Sequence, residues 1–221
     1  MAQRPILRVE SSVKRGGTPG EPNDQELVER VRSGQAEAFT ELVVRYQDRL
    51  FNTCWRICGN LEDAQDVTQE AFMKAYQNIA SFRGDSAFYT WLYRVAVNLA
   101  LSQRRSKKRR PVVSLDGVST EGTQVEPLAR KMLIASQKDT ATAAADAELA
   151  GRVLAALHSL KEDDRAIVVL RDMEGLDYEQ IGRILELPAG TVKSRLHRAR
   201  MELRKLVQAG ANSSIERGDG S

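Results

Sequence analysis

The sequence predicts an all-α protein of two small helical domains joined by a flexible linker. Apolar residues recur at helical spacing through residues 23–103 and again through 146–208. Residues 104–145 hold no aromatic residue and separate the two stretches by far more than an ordinary loop. No segment shows the period-two alternation of a strand. A length of 221 residues suits one large domain or two small ones.

Residues 1–22 mix Pro, Gly and scattered charge without an apolar period, so a disordered N-terminal extension is expected. Asn23 then caps a first helix, with Glu26 completing a capping box, and Gly34 ends it. A second helix, residues 37–57, places Phe39, Leu42, Val43, Tyr46, Leu50, Cys54 and Ile57 on one stripe before Gly59. Asn60 caps the third, residues 61–79, whose first turn carries Glu62 and Asp63 where the helix dipole favours anions. Its apolar face runs from Leu61 and Ala64 to Ala75 and Ile79. The opposite face carries Asp66, Gln69, Glu70, Met73 and Gln77. Met on a polar face suits a protein-binding surface. After a turn at Phe82-Arg-Gly-Asp, a fourth helix spans residues 86–103 and turns Phe88, Leu92, Val95 and Leu99 inward. Four helices in about 80 residues make a plausible small bundle.

Residues 104–145 begin basic and become rich in Ser, Thr, Gly and Ala, the composition of a linker. Helices are expected again at 146–157, 163–173 and 178–185, the last capped by Asp177 with Gln180 completing a capping box. Pro188-Ala-Gly breaks the chain. A final helix covers 191–207, and residues 209–221 read as a disordered tail.

The net charge is only +3, but it is segregated. Acids crowd residues 21–70, and Lys and Arg crowd 104–110 and 193–205. Local patches matter more to a polyanion than the total does. No apolar run approaches the ~18 residues needed to span a bilayer, and the N-terminus lacks an apolar signal core, so a cytoplasmic location is expected. Cys54 and Cys58 lie one helical turn apart. Cys54 sits on an apolar stripe and reads as a buried thiol. A structural disulfide does not fit a cytosolic chain, and His158 and His197 are too distant in sequence to suggest a metal cluster. No metal or cofactor is expected.

Two segments suggest nucleic acid. Residues 82–93 hold Phe82, Phe88, Tyr89, Trp91 and Tyr93, five of the chain's twelve aromatic residues, and six basic residues follow between 104 and 110. Aromatic faces stack unpaired bases while basic residues track phosphates. An amphipathic helix with a rich core and a charged linker explains the same residues. Residues 177–206 read as a helix-turn-helix. Its second helix buries Val192, Leu196, Ala199, Leu203 and Leu206 and presents Lys193, Ser194, Arg195, His197, Arg198 and Arg200. That arrangement places a recognition helix in a major groove, with Arg and Lys reading bases and Ser holding phosphate.

Three segments resemble the extracytoplasmic-function sigma factors, nearest the sigma-E-like branch. They are Asp66-Val-Thr-Gln-Glu-Ala-Phe-Met-Lys-Ala-Tyr76, Ser81-Phe-Arg-Gly-Asp-Ser-Ala-Phe-Tyr-Thr-Trp-Leu-Tyr-Arg-Val-Ala-Val-Asn98 and Gly190-Thr-Val-Lys-Ser-Arg-Leu-His-Arg-Ala-Arg200. The resemblance covers residues 24–207 in the family's order. It implies region 2 at 23–103, a linker at 104–145 that threads toward the polymerase active site, and region 4 at 146–208. It implies that Asp66, Gln69, Glu70 and Met73 dock on the β′ clamp helices of core RNA polymerase, and that region 4 meets the β flap. Phe82 and Asn98 match positions that hold a flipped base of the −10 element, with Tyr89, Trp91 and Arg94 along the strand's path. Trp91 fits the helix core equally well. The last helix matches the reader of the −35 element. An anti-sigma partner, retention by it at the inner membrane, and a stress or envelope-response regulon are expectations from the same resemblance.

A stand-alone helix-turn-helix regulator is the alternative. It accounts for residues 146–207 and leaves the aromatic segment and the Met73 face unused. An enzyme has no support in the sequence, which shows no glycine-rich phosphate loop and no His/Asp/Ser constellation.

Overall fold

The computed structural model describes the backbone of residues 22–109 and 140–218 and the side chains of 22–106 and 148–210. The expected N-terminal extension, up to residue 21, and most of the expected linker lie outside the described residues. Helix α1 (Asp24–Arg32) opens with the Asn23–Glu26 capping box. Helix α2 (Glu37–Cys58) ends at Gly59, whose φ of 85° is the left-handed position that glycine adopts without a Cβ penalty. Helix α3 (Leu61–Gln77) is capped by Asn60, which accepts from the Asp63 amide, and a 3-10 turn follows at Ile79–Ser81. Helix α4 (Phe88–Arg109) completes a four-helix unit. Leu27, Leu42, Leu50, Ile57, Phe88 and Leu92 are buried at its centre.

The second unit is built from α5 (Thr140–Ser159), α6 (Glu162–Val168), α7 (Tyr178–Leu185) and α8 (Ala189–Gly218). A π-helical turn, Val169–Met173, extends α6. The Asp177–Gln180 capping box opens α7. Between α7 and α8 the chain turns tightly. The Leu187 amide donates to the Gly182 carbonyl at 2.9 Å. A Cβ on Gly182 would meet the Leu187 carbonyl oxygen at 2.6 Å, so this helix position admits only glycine without movement.

Three helices run further than expected. Helix α4 continues to Arg109 because Arg, Ser and Lys do not break a helix, and α5 starts at Thr140 because the alanines Ala143–Ala145 favour one. Helix α8 runs to Gly218, through residues expected to form a disordered tail; no proline interrupts them.

The larger departure is between the units. A flexible linker leaves them without fixed spacing, yet here they share one contiguous apolar core. Helix α7 lies along α4, and α5 and α6 close on the C-terminal end of α2. Two charges are buried at the junction. Arg165 of α6 is 1% exposed. It donates to the carbonyls of Leu157 (3.0 Å), Leu160 (3.0 Å), His158 and, across the junction, Ile57 (2.7 Å). A guanidinium thus satisfies the orphan carbonyls at the ends of α2 and α5, where the helix dipoles favour a cation. Glu174 is 4% exposed and sits among α2 and α4 side chains.

His158 stands beside Arg165 with its ring edge toward Trp55 of α2, centroids 6.5 Å apart. Its Nε2 is buried without a hydrogen-bond partner. Burial, then the Arg165 and Arg104 charges, push its pKa from 6.5 down to about 4. The unfolded chain protonates His158 near pH 6.5 and the folded chain only near 4. Stability from this group is therefore full above about pH 6.5 and falls as the pH drops toward 4. Denaturation of wild type and His158→Gln at a series of pH values checks this. The wild type should lose more stability between pH 6.5 and 4.5, and parallel curves would show that His158 is not desolvated. Gly182→Ala, followed by chemical denaturation, should destabilise the second unit by about 1–3 kcal/mol, the usual range for a forced clash in a packed site. An unchanged midpoint would mean the turn relaxes freely.

Candidate nucleic-acid and polymerase interface

Three surfaces carry the residues singled out in the sequence. The first is on α3. Asp66, Gln69, Glu70 and Met73 are all exposed, with Met73 53% exposed. Glu70 pairs with Lys74 at 3.0 Å, one turn on. Beside them α2 and α3 form a groove of about 590 Å³, lined by Phe39, Val43, Phe51, Phe72 and Tyr76 and edged by Asp48, Gln69 and Met73. Phe39 meets the Tyr76 ring edge-on with centroids 5.1 Å apart, which fixes one wall. Val44, Met73 and Tyr76 are large apolar side chains left in water nearby. An apolar groove with an acidic rim suits a protein partner with basic and apolar side chains.

The second surface is the start of α4 and the turn before it. Phe82 is 3% exposed. Its ring meets Phe88 edge-on at 5.8 Å and lies tilted against Trp91 at 5.4 Å. Arg32 of α1 holds the turn, donating to the Ile79 and Phe82 carbonyls. Asn98 is exposed on α4. The two residues expected to hold a base therefore differ: the amide faces water, and the ring is covered by its neighbours. Trp91 is half-buried within that aromatic cluster. Tyr89 and Arg94 face the second unit. The Gln180 side chain donates to the Tyr89 hydroxyl, and Arg94 pairs with Glu186 at 2.5 Å.

The third surface is α8. Val192, Leu196, Ala199 and Leu203 are buried where α8 packs on α5, α6 and α7, so the remaining face points outward. Lys193, Ser194, His197 and Arg198 are exposed on it. The Ser194 hydroxyl donates to the Thr191 carbonyl at 3.0 Å. Arg195 lies 3.8 Å from Asp163. Arg200 is held more firmly. Its Nε donates to Asp172 at 3.0 Å, and hydrogen bonding to that carboxylate raises its pKa above the usual arginine value. Of the six residues expected on this face, Arg200 is the one most fully engaged inside the protein.

Cys54 and Cys58 are both buried and form no disulfide. Burial pushes the Cys54 thiol up to about 12, so no thiolate forms there near neutral pH. Sequence reasoning passed over Arg165, Glu174 and Gly182. Gly182 carries a signal, a glycine inside a predicted helix just before a turn. The two charges carry none, because an Arg on an amphipathic helix and a Glu at a turn both read as solvated.

Known proteins resemble this chain in both sequence and fold. Residues 42–110 match sigma-70 region 2 and residues 150–203 match sigma-70 region 4. The chain is 41% identical over 193 residues to the RNA polymerase sigma-H factor of Pseudomonas aeruginosa, covering 84% of this chain and 94% of that one. It is 42% identical over 186 residues to the ECF RNA polymerase sigma-E factor of Escherichia coli K12, with the same coverage of both chains. Among solved structures, the sigma factor RpoE of Bartonella quintana, in complex with the anti-sigma factor NepR, superposes with a TM-score of 0.60 at 26% identity, over 77% of this chain and 96% of that one. CnrH, in complex with the cytosolic domain of CnrY, shares the fold with a TM-score of 0.58 at 24% identity, over 84% and 97%. With two family segments in order and identity above 40% across most of both chains, the protein belongs to the extracytoplasmic-function sigma factors of the sigma-70 family.

Proposed function

We propose that this chain is a dissociable promoter-specificity subunit that directs core RNA polymerase to a −10 and a −35 element. The observation that carries the reading is the pairing of an exposed acidic, apolar-grooved face on α3 with an exposed basic face on α8, in a member of this family. On this reading Asp66, Gln69, Glu70 and Met73 dock on the polymerase clamp. Phe82 and Asn98 capture an unpaired base, with Tyr89, Trp91 and Arg94 along the strand. Capture requires the Phe82–Phe88–Trp91 cluster to part, so that the ring face meets the base. Lys193, Ser194, Arg195, His197, Arg198 and Arg200 meet the −35 duplex, Arg200 only after releasing Asp172. Phosphodiester synthesis belongs to the polymerase, and this chain supplies no catalysis.

An anti-sigma protein is the expected antagonist, since the relative in Bartonella quintana is held by one. No helix among the described residues is long and apolar enough to cross a membrane. On this reading the protein works in the cytoplasm, and any membrane association comes through the antagonist. A stand-alone regulator would leave the α3 face without a partner.

The deciding experiment measures core-polymerase binding and run-off transcription for wild type and Asp66→Arg/Gln69→Ala. Both side chains are exposed, so the fold should be unaffected. The double variant should bind core polymerase at least tenfold more weakly, about 1.4 kcal/mol, and lose transcription. Tight promoter footprinting by the free chain, with full transcription by the variant, would favour the stand-alone regulator. Within the complex, Lys193→Ala and Arg198→Ala separate the two kinds of contact. A phosphate contact should lower the salt slope of promoter binding by about one unit, and a base contact should cost ~1–3 kcal/mol at one position. Unchanged binding in both variants would mean that another face of α8 reads DNA.

A further inference from the structure

We infer that Arg32 of α1 is the fixed point of the base-capturing turn: it grips the Phe82 backbone, so that the ring can leave its aromatic neighbours and meet an unpaired base without the turn losing its place. The inference rests on the function proposed above. Local bonds give the turn its shape. The Ser81 amide donates to the Asn78 carbonyl at 2.9 Å, and the Phe82 amide to the Ile79 carbonyl at 3.2 Å. Where the turn sits is decided from outside it. Arg32 Nε donates to the Ile79 carbonyl at 3.3 Å, and Nη2 to the Phe82 carbonyl. The third nitrogen, Nη1, donates to Glu29 at 2.9 Å, one turn earlier in α1. The planar guanidinium therefore spans both ends of the 3-10 turn as a fork, which a single ammonium does not reproduce. Two helical turns before Arg32, on the same side of α1, the Gln25 side chain lies 3.5 Å from where a Cβ on Gly84 would stand. Helix α1 thus lies beside the turn at two places. It is a firm base, because its Leu27, Val28 and Val31 are buried in the core.

The anchor matters because the two groups proposed to hold the base stand on different elements. Asn98 is set by its place in α4, while Phe82 stands at the end of the 3-10 turn that precedes that helix. In the closed cluster the ring itself secures the turn, packed on Phe88 at 5.8 Å and on Trp91 at 5.4 Å. Base capture gives up those contacts. The grip on the two carbonyls does not depend on them, because rotation about the Phe82 side-chain bonds swings the ring and leaves the backbone in place. Arg32 thus keeps the root of the ring at a set distance from Asn98 throughout the change. It touches no base and acts through Phe82, so it is a positioning residue. Discrimination between bases depends on that distance. A stacked base presents its edge to the amide only when ring and amide are held in register.

The test compares wild type with Arg32→Ala and Arg32→Lys, using the full chain with core polymerase. The Arg32 side chain is 27% exposed, so water can replace it at the carbonyls and the fold should survive, which circular dichroism verifies. If alanine disturbs the fold, Arg32→Lys carries the comparison. Open-complex rates are measured on promoters in which each −10 base is replaced in turn. Wild type should discriminate most at one position, and Phe82→Ala should abolish that preference. Arg32→Ala should cut discrimination at the same position about tenfold, with affinity for core polymerase unchanged. Arg32→Lys should fall between the two, since it keeps the charge without the fork. Hydrogen exchange at the Ser81 and Phe82 amides should be about tenfold faster in Arg32→Ala, and less so in Arg32→Lys. Wild-type discrimination in the well-folded variants would overturn the inference, whatever happens to the overall rate, because a purely structural role lowers the rate equally on every promoter. Unchanged exchange would overturn the anchoring even if discrimination fell. If Phe82→Ala discriminates as well as wild type, base capture by Phe82 fails instead, and the exchange result still decides whether Arg32 anchors the turn.

Discussion

Burial of charge at the junction of the two units is the constraint on which the rest of the arrangement depends. A guanidinium or carboxylate taken out of water is tolerated only when its hydrogen-bonding groups are met. Arg165 meets that condition with four backbone carbonyls, one of them on α2. Glu174 meets it with side chains from α2 and α4. Burial lowers the Arg165 pKa to about 10, still far above neutrality, so the cation persists. Burial, reinforced by the Glu174 charge, holds the Tyr93 phenol protonated and therefore able to donate. The two charges fix how α6 sits on the first unit, and the orientation of α7 and α8 follows.

That orientation sorts the functional surfaces. The α3 face and its groove point away from the junction and remain open. The basic face of α8 is also open, because its apolar stripe is spent on α5, α6 and α7. The face of α4 proposed to meet the strand is the one that the junction engages, through Tyr89 and Arg94. A sigma factor must present three surfaces to two macromolecules, and this arrangement makes one of them conditional. Two bound units on one polymerase gain from effective concentration only when both are free to reach their elements.

The local devices are placed where function needs rigidity. Gly182 allows the close approach of the turn that sets α7 against α8. Glu186 occupies a left-handed position, φ 56°, at the end of α7, a conformation uncommon outside glycine. Arg32 ties α1 to the turn that carries Phe82, so the aromatic cluster is positioned by a residue some fifty positions earlier in the chain. Neutral His158 and protonated Cys54 are consequences of the same packing and take no part in the chemistry proposed.

Helix existence, start signals and the inward faces were legible in the sequence because they are local. The capping boxes at Asn23–Glu26 and Asp177–Gln180 form as their spacing requires, and the apolar stripes of α2, α3 and α8 face inward as their period implies, with Val43, Tyr46, Leu61 and Leu206 only partly covered. The three family segments were legible too, since each is a run of adjacent residues. Helix ends at Arg109 and Gly218 were not, because propensity alone sets no sharp boundary where neither Pro nor a cap intervenes. The docking of the units lay beyond the sequence for a deeper reason. An apolar stripe records that a face is covered and not which helix covers it. A glutamate such as Glu174 looks solvated until a partner some 120 residues away in the chain supplies its hydrogen bonds. Composition and period determined the helices, and three runs of adjacent residues carried the resemblance to the family; only the tertiary structure decided which polar groups would leave water together, because that depends on long-range geometry.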